Sequence, residues 1–280
     1  WNVSGAWNVH EEDFFEHLGA LDRLTFRASY SLTADRGPDY VSNSLADIRS
    51  INPWRPSSGV KESALYASSL ENSELTYEKK HEFNVGLDAG FLDNRINIGF
   101  DWYTRDNFDL IGRINTQGIG GEVTKYGNVA EMKSDGLEFS ISATPIKTED
   151  FSWQTDFVYS KTSNKVTKLD TQQRVIDLVT GYGFAREGYS VNSIFSIPFA
   201  GLNEEGIPTF QDQDGNVSVS DIYFQERDKL DFLEYSGSTD PTDVGSFGNI
   251  FKYKNLTFNV FTTFSFGNVV RLNPVCSSFY

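Results

Sequence analysis

Residues 77–105 read YEKKHEFNVGLDAGFLDNRINIGFDWYTR. Two alternating runs flank a tight turn. Phe83, Val85, Leu87, Ala89 and Phe91 share one face of the first run, against Asn84, Gly86, Asp88 and Gly90. In the second run Ile96, Ile98, Phe100 and Trp102 oppose Asn97, Gly99, Asp101 and Tyr103. Side chains alternate along a strand, so the segment predicts an antiparallel hairpin with one apolar and one polar surface. Asp93 and Asn94 sit at the reversal, and both residue types tolerate turn geometry.

Two solvents fit such a ribbon. In a soluble sandwich the apolar face is a core; in an outer-membrane barrel it meets lipid and the polar face lines a lumen. Ordinary strands run about five or six residues, whereas a spanning barrel strand needs about nine to eleven, and these runs reach the longer class.

Composition narrows the choice. The 280 residues carry a net charge of -15, which argues against nucleic acid as a partner, because phosphate binding needs clustered Lys and Arg. The single cysteine, Cys276, closes no internal disulfide and reads as an incidental thiol. No apolar run reaches the roughly eighteen residues of a spanning helix. A mean hydropathy of -0.40 is compatible with barrel strands, whose alternation averages out. Aromatics at 15%, with 23 Phe and 13 Tyr, suit interfacial girdles.

Along the chain, Trp1 to Val9 and Leu24 to Tyr30 alternate, with Thr25, Arg27 and Ser29 on the inward face of the second run. His10 to Leu21 reads as an acidic connector with a helical turn around Phe14, Phe15 and Leu18. The pattern then dissolves from Ala34 to Leu75, and a connection of that length is usually functional. After the central hairpin, strands are predicted at Leu137 to Ala143, Phe151 to Tyr159, Phe247 to Tyr253 and Leu256 to Phe266, and Val191 to Leu202 looks extended. Connections alternate in length. Those at Leu92 to Asn94, Pro145 to Asp150 and Lys254 to Asn255 are short, while Arg113 to Asn128, Asp170 to Ser190 and Asp212 to Asp243 are long. Short periplasmic turns and long extracellular loops are the asymmetry of an outer-membrane barrel.

The motifs point the same way. Glu71 to Lys79, then Phe83-Asn84-Val85-Gly86-Leu87-Asp88 and Asn94-Arg95-Ile96, resemble the SusC/RagA-type TonB-dependent outer-membrane transporters. Gly127 to Phe139, Phe199 to Asn203, Phe251 to Leu256 and Phe266-Gly267-Asn268 are similar to further stretches of that family, as are Trp7-Asn8-Val9 and Leu24 to Tyr30. Asn72-Ser73, Tyr77 and Ser134-Asp135 depart from its usual pattern. The resemblance implies an all-β fold, an antiparallel transmembrane β-barrel of which residues 1–280 supply one portion, about eight to ten of 22 strands. It also implies an N-terminal plug and C-terminal strands outside these residues, TonB-driven import of an oligosaccharide or peptide, and a SusD-like lipoprotein over the extracellular loops.

Candidate sites are few. Asp212-Gln213-Asp214-Gly215-Asn216 begins like a calcium loop, with Asp212, Asp214 and Asn216 as alternating oxygen ligands. Val217 and Tyr223 then occupy the positions that need Gly and an acid, so a polar turn is the expectation. His10, His17 and His81 lack zinc spacing, and Gly118 to Gly121 lacks the following Lys of a phosphate loop. No nucleophile elbow or cofactor motif stands out, so an enzyme is not expected. Trp54, Tyr66, Tyr126, Tyr182 and Phe184 fall in long loops, where rings stack on a ligand or pack on the loop itself. Asp88, Asp101, Glu138 and Asp156 are expected to shape a polar lumen. The competing readings are a soluble glycan-binding sandwich and a passive porin.

Overall fold

The computed structural model describes residues 1–15, 20–37, 47–52, 63–69, 71–115, 124–181 and 184–272. One antiparallel sheet dominates it. Its strands are β1 (Asn2–Asn8), β2 (Leu21–Asp35), β5 (Glu78–Phe91), β6 (Ile96–Asn115), β7 (Thr124–Lys147), β8 (Phe151–Leu169), β14 (Asp243–Tyr253) and β15 (Leu256–Phe266), adjacent in that order. A hairpin, β3 (Asp47–Ile51) with β4 (Ala64–Ser69), lies between β2 and β5. Between β8 and β14 lie α1 (Val175–Val179), the pair β9 (Ser193–Ser196) with β13 (Glu234–Ser238), and the small sheet β10 (Phe199–Leu202), β11 (Pro208–Gln211) and β12 (Val217–Ser218).

Pairing register turns the alternation into two continuous surfaces. One row runs Trp7, Phe26, Leu87, Phe100, Phe139, Tyr159, Gly245, Phe264 across all eight strands. The neighbouring row on this face runs Leu24, Ala89, Ile98, Ile141, Phe157, Phe247, Thr262. The opposite face carries Arg27, Gly86, Asp101, Glu138 and Ser160 in one row, and Thr25, Asp88, Gly99, Ser140 in the next. A one-residue slip would exchange the two faces, so this register is the fold.

No second sheet covers the apolar face among the described residues: Val85 and Phe100 are 37% and 39% exposed. Fully buried apolar packing lies elsewhere, in the segment between β8 and β14. There Val175, Leu178, Phe195 and Leu233 cluster beneath Tyr189, Ile197, Leu230 and Phe232. A sandwich would bury its strand faces first, so the arrangement matches strands solvated by hydrocarbon and a loop domain solvated by water.

Turns collect at one end. Leu92, Asp93 and Asn94 all adopt positive φ, a single left-handed turn braced by Leu92 N–H to Ala20 O at 3.0 Å and Asn94 N–H to Asp22 Oδ2 at 3.0 Å. Asp93 and Asn94 suit that conformation; Leu92 is strained in it. Lys254 and Asn255 form a two-residue hairpin loop with positive φ at Lys254.

Several expected boundaries shift. Pro145 lies within β7, at a register shift between Ala143 and Ile146, where a bulge tolerates a missing N–H; the turn itself is Thr148 to Asp150. β6 and β7 continue past the expected loop boundary, leaving only 116–123 between them. A 3-10 turn, Val9–Glu11, follows β1 with Val9 buried; of the helical turn expected around Phe14, Phe15 and Leu18, Phe14 is exposed, Phe15 is buried and Leu18 lies outside the described residues. Val191 to Leu202 contains two four-residue strands of the loop domain, not a strand of the large sheet. Their shortness follows from Pro198 between them and the register shift near Gly201.

Candidate transport face

The polar face is built of side chains lying along the wall. Arg27 donates from Nε to Asp88 Oδ2 at 2.7 Å and from Nη2 to Asp101 Oδ2 at 3.0 Å, tying β2, β5 and β6 together. It crosses above Gly86, where a Cβ would meet Asp101 Oδ1 at 2.5 Å and Arg27 Nη2 at 2.7 Å; only glycine leaves that path open.

A second stack lies nearer the long-loop end. The Tyr103 ring fills the space above Gly136, and its hydroxyl pairs with Thr162 Oγ1 at 3.1 Å. The Arg105 guanidinium sits 3.9 Å from the Tyr103 ring centroid, a cation–π contact, with Nε 3.0 Å from Glu82 Oε2. Lys80 Nζ reaches the same Glu82 oxygen at 2.8 Å. Lower on the wall, Asp156 Oδ1 accepts from Ser142 Oγ at 2.6 Å and from Gln154 Nε2 at 3.2 Å. The face is therefore hydrophilic, charge-mixed and smooth.

Of the four expected lumen acids, Asp88 and Asp101 share Arg27 as ion-pair partner, Asp156 is bonded within the wall, and Glu138 is exposed. Among the loop aromatics, Tyr66 lies exposed on β4, and Phe184 is exposed beside an isolated bridge to Ser193. Tyr126 lies on β7 opposite Arg113, while Trp54 and Tyr182 fall outside the described residues. They form no common platform among the described residues.

Asp212 makes a turn of its own sequence. Its Oδ1 accepts from the N–H groups of Asp214 at 2.9 Å and Asn216 at 2.8 Å, and its Oδ2 from Asn216 Nδ2 at 3.1 Å. Asp214 instead pairs with Lys229 Nζ at 2.5 Å. Burial opposes ionisation of Asp212, and the donors from Asn216, Asp214 and Gly215 outweigh it, holding the carboxyl below its usual range.

Part of the motif between Glu71 and Lys79 is a clamp on the wall. Asn128 Oδ1 accepts from Thr76 N–H at 2.8 Å, and its Nδ2 returns a bond to Thr76 O at 2.9 Å and another to Asp109 O. Asn72 Nδ2 donates to Tyr126 O, and Glu78 Oε1 accepts from Ile111 N–H at 2.8 Å. These bonds fasten the base of the β4–β5 connection across β6 and β7 at the bulge where Asp109 has positive φ. Sequence reasoning noted the motif but not this work; a signal was the pairing of an Asn-containing loop with Gly127-Asn128 inside a strand.

Residues 1–248 match the family described as TonB dependent receptor-like, beta-barrel. The chain belongs to this TonB-dependent receptor β-barrel family. The TonB-dependent receptor P3 of Formosa agariphila is 27% identical over 95% of the chain, which is 28% of that protein. The TonB-dependent receptor SusC of Bacteroides thetaiotaomicron is 28% identical over 81% of the chain, 24% of that protein. The solved RagAB peptide transporter shares the fold with a TM-score of 0.76 at 21% identity, covering 95% of this chain and 28% of that one. The chain thus spans about a quarter of the length of the relatives it matches. The SusC/RagA resemblance of the motifs and the antiparallel barrel-type fold both hold for this TonB-dependent receptor chain. The relatives are named as receptors and transporters, not enzymes.

Proposed function

We propose that this chain is part of the wall and loops of an outer-membrane importer, energised through TonB, that takes up an oligosaccharide, with a peptide as the alternative cargo, beneath a SusD-like surface lipoprotein. The observation that carries the reading is the register: an apolar row crosses all eight strands on one face, and a hydrophilic row crosses β2, β5, β6, β7 and β8 on the other. In lipid, unpaired strand edges are costly, so β1 and β15, the edges of the described sheet, would pair with further strands of the same barrel. A plug inside that barrel would couple cargo movement to TonB, leaving these residues to line the path rather than react.

Deletion of the full-length gene tests this directly. Growth on one class of polymer should fail and return with the intact gene, but not in a strain lacking TonB. TonB-independent rescue would establish the passive porin instead, and recovery of the full-length protein in the soluble fraction would establish the sandwich. Co-purification identifies the lipoprotein and, through bound material, the cargo. Within the wall, Glu138→Lys should alter uptake without lowering barrel levels, because Glu138 is exposed on the polar face and holds no described ion pair.

A further inference from the structure

β8 outlasts its neighbour. β14 pairs with it up to Asp243 opposite Lys161, and Thr162 N–H still reaches Thr242 O at 2.8 Å. Beyond that point the opposing chain peels away: Pro241 has no N–H, and Asp240 N–H turns to Ser238 Oγ at 3.1 Å. Four residues along β8, Val166 regains a partner, giving its N–H to Tyr189 O at 2.8 Å and accepting from Gly188 N–H at 2.9 Å. Thr162 and Val166 therefore direct their backbone groups to this edge, and strand alternation directs those of Asn164 the same way. No described residue bonds the Asn164 N–H or C=O. Its side chain is occupied separately, Oδ1 accepting from Val191 N–H at 2.9 Å.

The gap is a cleft of about 470 Å³ lined by Asn164, Tyr189, Ser190, Tyr235, Gly237 and Asp240, within the size range of ligand pockets. Tyr189 and Tyr235 form one wall, ring centroids 4.9 Å apart at 50°. Ser190 Oγ stands 3.4 Å from the Tyr235 hydroxyl. One strand residue thus offers a donor and an acceptor side by side, in a pocket with flat aromatic surface.

We infer that this notch binds extended peptide main chain, one residue of which gives its N–H and C=O to the C=O and N–H of Asn164 while its neighbours lie against Tyr189 and Tyr235. Those two groups belong to successive amides, since a single trans amide points its N–H and C=O in opposite directions, so the acetamido group of an N-acetylated sugar does not fit. The inference deepens the import reading by assigning a cargo contact, and binding in detergent tests it separately. Failed binding leaves TonB-dependent uptake standing, and failed uptake leaves the notch standing.

The test titrates the full-length receptor in detergent with N-acetyl-trialanine N-methylamide, and with N-acetylglucosamine and glucose as controls that carry one amide and none. The peptide should bind and neither sugar should. Asn164→Pro removes the backbone N–H beyond what Asn164→Ala removes and also fixes φ at about −65°, which an edge position tolerates. Affinity should fall about tenfold further in Asn164→Pro, or about 1.4 kcal/mol. A tripeptide probe with its central amide replaced by an ester should weaken similarly on the unaltered receptor, which keeps the test open should the proline variant fail to assemble. Equal affinity of the ester analogue, equal affinity of the two Asn164 variants, binding of either sugar as tightly as the peptide, or failure of the peptide to bind would overturn the inference.

Discussion

At Gly136 the smallest residue type holds a large one in place, since the Tyr103 ring occupies the volume a Cβ would need. Gly136→Ala should push Tyr103 off its seat, break its bond to Thr162 and disturb the stacked Arg105. Overpacking of this kind costs about 1–3 kcal/mol. The check is the melting temperature of the full-length receptor, read from heat-modifiable gel mobility; Tyr103→Phe, which keeps the ring and loses only the hydroxyl bond, should shift it less. Tyr103 was assigned to the polar face from alternation alone. That its ring would occupy the space over a glycine and be buried there required the pairing of Tyr103 with Gly136.

Among the elements, the segment between β8 and β14 behaves as a water-solvated domain with its own electrostatics. Asp177 sits at the start of α1, where the Arg174 guanidinium and backbone N–H hold its carboxyl below the usual range against the opposing effect of burial. Asp212 is depressed by its turn, and Glu226 by the N–H groups of Asp228, Arg227 and Lys229. A carboxyl whose folded pKa lies below its unfolded value, near 4, adds stability that is complete above that value. The contribution fades as pH falls through the lower folded value. Limited proteolysis of the full-length receptor should therefore cut more within 170–242 at about pH 3 than at pH 7, and Asp177→Asn at pH 7 should reproduce part of that sensitivity. This element was the least legible in advance. Its strands are two to five residues long, too short for alternation to declare itself, and its core joins residues as distant as Val175 and Leu233.

For the whole molecule, the decisive quantity is which solvent each face meets. Leu87 is midway along the outward row of β5, between Phe26 and Phe100 on the neighbouring strands. Leu87→Arg at the bilayer midplane should cost about 2–4 kcal/mol and deplete the receptor from the outer membrane. Ser140→Arg, on the inward face of β7, should leave those levels near normal, because its side chain enters a hydrated passage. Equal depletion by both, seen in membrane fractions, would mean that the faces are not solvated differently.

Alternation over more than nine residues and the turn at Asp93-Asn94 were sufficient by themselves for the all-β class and for which side chains share each face. They suffice because each is a local consequence of backbone geometry. The β5–β6 register was also within reach, since a four-residue turn sets Gly86 against Asp101. What only the tertiary structure decided are the contacts closed across long connections: Arg27 with Asp88 and Asp101, Asn128 with Thr76, and the notch at Asn164. A connection of forty or seventy residues imposes no register on the strands it joins, so those pairings follow from which side chains fit together once the sheet has assembled.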